Sequence, residues 1–353
     1  MALIALVVAA VGTFTVDSFR FESGVTVPNV TMVYATYGQL NAARSNAVLA
    51  PAHFMVDEHG YDWLLGPGQA LDTTRYFVIT TEMFGNGISS SPSNTPEPFH
   101  GPRFPAVTIR DNVRMAHRLL TETLGIMHVR AIVGFAMGAQ QAFQWAVTYP
   151  DFAERIVATA GTAKCYPHGV VMLEGAIAAL TADQEFKEGD YASEPTRGIH
   201  ALGTVWAGWL FSQEWWRREL WRSDTSRGRT FDDALARLVN AFAPRDANDM
   251  ISQVRTWEHQ DISEQELRAI RARVLYMPVT TDLYFPIGDA RYEAQYIPHV
   301  TFVPIRSVWG HPAGAAASPA DSAFLNRTIG RFILTHDSRP VSAGGRDRAR
   351  DGH

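Results

Sequence analysis

Cysteine is almost absent from this sequence, since Cys165 is the one cysteine among 353 residues and no internal disulfide can form. This usage predicts a reducing compartment, and we expect the protein in the cytoplasm. Clustered basic residues are also lacking, and the net charge of -5 argues against nucleic acid as a partner. No apolar run is long enough to span a bilayer, so a membrane partner is not expected either.

Neither end of the sequence has a pattern that predicts a separate domain. The apolar run from Met1 to Val11 has no basic residue before it, and we interpret it as a buried first strand or a misassigned start rather than a signal segment. Residues 336–353 are rich in arginine, aspartate, glycine and serine and have almost nothing to bury. This composition predicts a disordered tail.

Between these ends the pattern predicts an α/β fold. From Thr13 to Thr36 apolar and polar residues alternate, as in an antiparallel strand pair at a sheet edge. Short runs rich in valine and isoleucine then alternate with helical segments such as Arg110–Leu124 and Gln140–Tyr149, which indicates a mostly parallel sheet with helices on both faces. The predicted strands of this part are Asn46–Ala50, Tyr76–Thr80, Arg130–Phe135, Arg155–Ala160, Arg273–Met277 and Val300–Pro304.

A long interval without a strand pattern divides the predicted core into residues 13–164 and 266–335. Residues 165–265 are mainly helical by composition, and we interpret them as an inserted lid. Aromatic residues at helical spacing usually pack inward, but a lid must also roof a pocket, so we expect Trp206 and Trp209 to bind substrate. The segment from Gly203 to Trp221 contains five tryptophans: Trp206, Trp209, Trp215, Trp216 and Trp221.

A strand at Ala131–Val133 runs into the pentapeptide Gly134-Phe135-Ala136-Met137-Gly138 and then into a helix. This is the setting of the G-x-S-x-G nucleophile elbow of the α/β-hydrolase fold, a turn that exposes its central side chain. Here the central residue is Ala136, whose methyl group cannot attack a carbonyl. It reflects either a Ser→Ala substitution or a natural non-catalytic relative. We favour the substitution because the other parts of the machinery are present.

Two polar residues follow the last predicted strands in the order that this fold uses, nucleophile, acid, histidine. Asp282 comes just after Arg273–Met277, and His311 follows the next strand. Taken singly, such residues are most often turn or structural residues. In this order we expect Asp282 to orient the imidazole of His311, and His311 to take the nucleophile's proton and return it to the leaving group.

An acyl-transfer oxyanion requires two backbone donors, and we expect the amides of Met137 and Phe54 to supply them. His53 and His59 lie nearby, but no third ligand stands at a suitable spacing, so no metal is predicted, and no cofactor either. Cys165 could serve as a replacement nucleophile, although a small buried residue is the simpler interpretation.

The elbow and its surroundings resemble the homoserine O-acetyltransferase family over residues 13–335. The matching stretches are Tyr34-Ala35-Thr36-Tyr37-Gly38-Gln39-Leu40-Asn41, Gly66-Pro67-Gly68-Gln69-Ala70-Leu71-Asp72, Val107-Thr108-Ile109-Arg110-Asp111 and Gly310-His311. The resemblance implies a Ser-Asp-His mechanism in which an ester or thioester acylates serine and an alcohol or water accepts the acyl group. The transferases typically have Gly-Gly-Ser-Met-Gly-Gly at the elbow and often His-Ala-Leu-Thr in the early loop, where this chain has Pro51-Ala52-His53-Phe54. In its elbow and early loop, this chain is more similar to the family's short-chain ester hydrolases than to its transferases.

Three functions therefore remain open on the sequence. The first is a serine esterase acting on a small ester with a short acyl group of the acetate type, present here in a form without its serine. The second is acetyl-CoA-dependent transfer to homoserine, and the third is a non-catalytic pseudo-hydrolase that binds a small ligand. A homodimer is also left open. A lid rich in tryptophan suits a small apolar ester better than a polar amino acid, which favours the esterase.

Overall fold

The computed structural model describes residues 10–223 and 230–335 of the chain, in which eight strands form one sheet. The strands are β1 (Ala10–Arg20), β2 (Thr26–Tyr37), β3 (Ala47–Pro51), β4 (Phe77–Thr81), β5 (Val129–Phe135), β6 (Ala153–Thr159), β7 (Arg273–Met277) and β8 (Val300–Phe302). Their order across the sheet is β1-β2-β4-β3-β5-β6-β7-β8.

The sheet is mostly parallel, as the alternation of strand and helix patterns predicts. The pairs β1–β2 and β2–β4 are antiparallel, and every later pair is parallel. All residues of β3 are buried, whereas burial in β1 alternates around Phe14 and Val16, because β1 is an edge strand. The predicted and observed bounds of the six strands from β3 to β8 differ by at most two residues.

The helices pack around this sheet and between its later strands. They are α1 (Ile109–Arg118), α2 (Met137–Thr148), α3 (Pro167–Thr181), α4 (Thr196–Leu210), α5 (Gln213–Arg217), α6 (Phe231–Asn240), α7 (Ala247–Glu258), α8 (Glu264–Arg268), α9 (Ile287–Ala294) and α10 (Pro319–Leu334). A capping box between Thr108 and Asp111 starts α1, which continues into a π-helical turn at Leu119–Thr123. The helix predicted from Gln140 begins earlier, at Met137, because it starts directly at the elbow.

Between β6 and β7 the chain forms the helices α3 to α8 and, within the described residues of this interval, no strand longer than an isolated bridge. Two separate apolar clusters bury its aromatic residues. Trp206 belongs to the main core, while Trp215 and Trp221 pack with Phe211 in a second, smaller cluster. The tryptophans of the interval therefore divide between two environments that the sequence pattern does not separate.

The predictions for the two ends fall largely outside the described residues. These are the tail at 336–353 and most of the run Met1 to Val11. Val11 itself is 56% exposed on the edge strand β1. Among the described helices, none combines the length and the apolar character that a membrane span requires.

Candidate active site

The turn from β5 into α2 holds Ala136 in a backbone conformation that is rare for a residue with a side chain. Its φ is 52° and its ψ is -121°, and such strain costs about 1–3 kcal/mol. A Cβ at Gly134 would lie 2.0 Å from the carbonyl oxygen of Gly138, so glycine is required for the strand and helix to approach this closely. The amide of Ala136 donates to the carbonyl of Thr159 at 3.1 Å, which ties the turn to β6. Alanine gains nothing chemically from this strained position.

His311 and Asp282 meet beside this turn. Nδ1 of His311 lies 2.8 Å from Oδ2 of Asp282, and both side chains are buried. The other carboxylate oxygen accepts the amides of Tyr284 at 2.8 Å and Phe285 at 3.2 Å, which fixes the carboxylate. Because a carboxylate only accepts, Nδ1 carries the proton and Nε2 is the basic nitrogen of the imidazole.

The loops that carry these two residues are joined to each other. The hydroxyl of Thr281 donates to the carbonyl of Ser307 at 2.7 Å and accepts the amide of Gly310 at 3.2 Å. Gly310 has a φ of 65°, and a Cβ there would lie 2.6 Å from the backbone nitrogen of Ser212. The histidine loop is therefore packed directly against the segment that links α4 to α5.

The loop after β3 is held near the elbow by side chains from distant parts of the chain. The hydroxyl of Tyr61 donates to the carbonyl of Pro51 at 2.7 Å and accepts the amide of Phe135 at 3.0 Å. Nε2 of Gln141 donates to the carbonyl of Ala52 at 2.7 Å. Tyr61 is buried, and burial raises the pKa of its hydroxyl, which stays protonated and able to donate.

Gln253 of α7 fixes the far side of the same loop. Its Oε1 accepts the amide of Met55 at 2.7 Å, and its Nε2 donates to the carbonyl of Phe84 at 3.2 Å. The two amides predicted as oxyanion donors, those of Phe54 and Met137, make no hydrogen bond within residues 10–223 and 230–335. Both are therefore available to an incoming acceptor.

A cavity of about 320 Å³ opens at the elbow, near the lower end of the range of about 300–1,000 Å³ for small-molecule sites. Its lining brings together the predicted residues Ala136, His311, Phe54, Met137 and Trp206. Further lining residues are His53, Met55, Phe135, Ala207, Leu210, Leu238, Ala241, Phe242, Arg245, Trp257, Tyr284, Pro312 and Ala315.

Trp209, the second tryptophan expected to bind substrate, is not one of these lining residues. Its ring packs edge-on against His168, with 5.1 Å between ring centroids. Trp206, in contrast, stacks on Phe54 at 4.8 Å. Residues three apart on a helix lie on roughly the same side of it, so their spacing does not distinguish Trp206 from Trp209, and only the packed structure shows that Trp206 lines the cavity.

Three further titratable residues, His53, His59 and Cys165, are candidates for metal ligands or for a nucleophile. His53 is half-buried beside the cavity, and desolvation, followed by the charge of His311, lowers its pKa to about 3, so it is neutral near pH 7. His59 is exposed and lies 3.0 Å from Asp62. Burial raises the pKa of the Cys165 thiol to about 12, which makes it a poor nucleophile. Among the described residues no three His, Cys, Asp or Glu side chains are grouped as metal ligands.

A mostly parallel sheet with a strained strand-to-helix turn, and a buried histidine–aspartate pair at that turn, defines an α/β protein of the hydrolase class. The chain belongs to the alpha/beta hydrolase fold family, and the family model matches residues 65–311. The resemblance read from the elbow and its surrounding motifs is confirmed at this level.

Relatives with known names divide between two activities. An ethyl acetate hydrolase of Pseudomonas veronii is 35% identical over 303 residues, which covers 82% of this chain and 86% of that protein. A homoserine O-acetyltransferase of Symbiobacterium thermophilum is 31% identical over 356 residues, covering 88% and 91%. Among solved structures, an acetylester hydrolase from Corynebacterium glutamicum is 30% identical with a TM-score of 0.89, covering 92% of this chain and 96% of that one.

Proposed function

We propose that this chain is the scaffold of a serine esterase for short-chain, acetate-type esters, and that Ala136 leaves it able to bind an ester without turning it over. The relatives support hydrolase or acyltransferase activity for the family. The observation that carries the proposal is the buried pair of His311 and Asp282 beside the cavity into which the elbow residue Ala136 faces. Everything that serves a nucleophile is present except the nucleophile.

With serine at position 136, the chemistry follows from the geometry. The serine oxygen attacks the ester carbonyl while its proton passes to Nε2 of His311, and the charge of Asp282 stabilises the imidazolium. The free amides of Phe54 and Met137 receive the oxyanion. The alcohol leaves with the proton from His311, and a water molecule then releases the acid from the acyl-enzyme by the same route. In the chain as it stands, the first of these steps has no attacking atom.

The size and the mostly apolar lining of the cavity support a small ester as substrate. Most of its lining is aromatic or aliphatic, and its volume of about 320 Å³ suits a small ester. The inserted residues 165–265 contribute Trp206, Leu238, Phe242 and Trp257 to the lining, which supports their role as a lid on the core formed by 13–164 and 266–335. The names of the ethyl acetate hydrolase and the acetylester hydrolase described above support the same choice. The single buried Cys165 is in keeping with the cytoplasm, which we propose as its compartment.

The test is to restore the nucleophile and supply each acceptor in turn. We expect Ala136→Ser protein to release acetate from ethyl acetate without any cosubstrate, and the unaltered chain to be slower on the order of 10⁶-fold. Ala136→Ser combined with His311→Ala is the matched control and should be as slow as the unaltered chain. Product that forms only with homoserine and acetyl-CoA together would identify a transferase. An Ala136→Ser protein that binds ethyl acetate but never hydrolyses it would identify a non-catalytic binding protein.

A further inference from the structure

One permanently charged side chain, that of Arg245, lines the otherwise apolar cavity. The other titratable lining residues are accounted for, because His53 is neutral near pH 7 and His311 is paired with Asp282. Arg245 is half-buried, in the segment between α6 and α7. A guanidinium beside apolar walls can bind an anion through several hydrogen bonds at once.

The carboxylates at the start of α7, the helix that follows Arg245, are engaged in other hydrogen bonds. Asp246 caps α7 by accepting the amide of Asp249 at 2.9 Å, and Glu194 accepts the amide of Ala247 at 3.1 Å. Asp249 accepts the amide and the hydroxyl of Ser93. Within the described part of the chain, the guanidinium of Arg245 has no ion pair and no hydrogen bond. An anion that pairs with this guanidinium would therefore have to belong to a ligand.

A line of contacts leads from the reactive end of the cavity to this arginine. Phe54, whose amide is one of the two predicted oxyanion donors, stacks on Trp206 at 4.8 Å. Trp206 meets Phe242 edge-to-face at 5.7 Å, and the amide of Arg245 donates to the carbonyl of Phe242 at 2.9 Å. Apolar rings therefore separate the elbow from Arg245, and a ligand that reaches both has an apolar middle.

We infer that Arg245 selects an ester that carries a carboxylate a few carbons away from the scissile bond, such as a monoester of a short dicarboxylic acid. The inference rests on the proposed function, since it names the substrate class of that same cavity. The carboxylate pairs with the guanidinium through charge-assisted hydrogen bonds, the methylene groups lie along Trp206 and Phe242, and the ester carbonyl reaches Phe54 and Met137. Arg245 acts in binding and takes no part in bond making.

The unaltered chain is well suited to test this, because Ala136 allows an intact ester to be titrated. Binding of monoethyl succinate and of ethyl levulinate is measured by calorimetry. The second ester replaces the carboxylate of the first with a neutral methyl ketone of similar shape. We expect monoethyl succinate to bind about tenfold more tightly or better, the range of a charge-assisted hydrogen bond. Arg245→Gln should remove the preference, and Arg245→Lys should keep part of it.

Arg291→Gln is the matched control, since it removes the same charge from an exposed position outside the cavity lining and should keep the preference. In the Ala136→Ser background, Arg245→Gln should raise the KM for monoethyl succinate with little change in kcat. Equal binding of the two esters, or a preference that survives in Arg245→Gln, would overturn the role of Arg245 and leave the ester site standing. Failure of both esters to bind would overturn the inference together with the proposed ester pocket.

Discussion

Asp282 accepts from the imidazole of His311 through one carboxylate oxygen and from two backbone amides through the other, so its orientation is fixed before any substrate binds. Replacing it with asparagine keeps the shape but presents an amide to Nδ1, which favours the wrong tautomer of His311. In the Ala136→Ser background we expect Asp282→Asn to lower kcat on the order of 10⁴-fold. Steady-state hydrolysis of ethyl acetate measures this. Asp17→Asn, at an exposed position of β1, is the control, and an equal loss there would refute the assignment.

Tyr61 gives a prediction about stability. Tyr61→Phe leaves the buried amide of Phe135 and the carbonyl of Pro51 without their shared partner. We expect the free energy of unfolding to fall by about 1–3 kcal/mol, measured by urea denaturation. Tyr149→Phe removes a hydroxyl that makes no hydrogen bond within the described residues and should change stability much less. Similar losses in both variants would contradict the bridging role of Tyr61.

Gln253 gives a prediction about rate. Gln253→Leu keeps the volume but frees the amide of Met55, so the neighbouring amide of Phe54 is no longer held at the elbow. An oxyanion donor is worth about 10²–10³ in kcat, and partial misplacement should cost about tenfold or more in the Ala136→Ser background, with a smaller change in KM. Gln295→Leu alters an exposed glutamine and serves as the control. A rise in KM alone would show that Gln253 acts only in packing.

Glu82 makes stability depend on pH. Burial, followed by the charges of Asp57 and Glu58, raises its pKa from 4.5 to about 8. Below pH 4.5 the carboxyl is protonated in both states, and between pH 4.5 and 8 only the folded protein keeps the proton. The free energy of unfolding therefore falls as pH rises through this window.

Glu82→Gln removes this ionisation while retaining an acceptor for the side chain of Asn86. We expect the variant to gain stability over the unaltered chain as pH rises, on the order of 5 kcal/mol by pH 9 and little at pH 4.5. Urea denaturation at both pH values measures the difference. Glu188→Gln, at an exposed position, should give no such pH-dependent gain. A constant difference at all pH values would show that the two states share one pKa.

The tryptophans of α4 allow the sequence-based expectation and the structure to be compared directly. In the Ala136→Ser background Trp206→Leu should raise the KM for ethyl acetate several-fold, because it removes the ring that stacks on Phe54 at the cavity wall. Trp209→Leu should raise it less, since its ring lies against His168. Initial rates over a range of ester concentrations give both values. A larger effect at Trp209 would contradict the lining described above.

The sequence predicts well those features of the fold and site that depend on residues close together in the chain. A buried parallel strand is a short run of valine and isoleucine, so β3 to β8 are found nearly to the residue. The elbow is equally local, because the close approach of β5 and α2 requires glycine at fixed spacing. Asp282 and His311 follow from strand order, and the structure joins them at 2.8 Å.

The parts that the sequence does not predict depend on contacts between distant residues. Gln253 lies 198 residues from Met55, and nothing in either neighbourhood marks the hydrogen bond between them. The face that α4 turns towards the cavity is set by packing, which is why Trp206 and Trp209 could not be distinguished. Arg245 belongs to no motif, and its meaning appears only when the apolar walls around it are seen.

The tight approach between Gly310 and Ser212 bears on how this scaffold can be altered. Because no Cβ fits between the histidine loop and the segment that follows α4, the inserted helices are not an exchangeable module. A replacement for the inserted helices would have to keep Leu210, Phe211 and Ser212, because their backbone packs against Gly310, the residue before His311. Changes to the cavity wall are better made in α6, whose Leu238 lines the cavity but takes no part in the contact between Gly310 and Ser212.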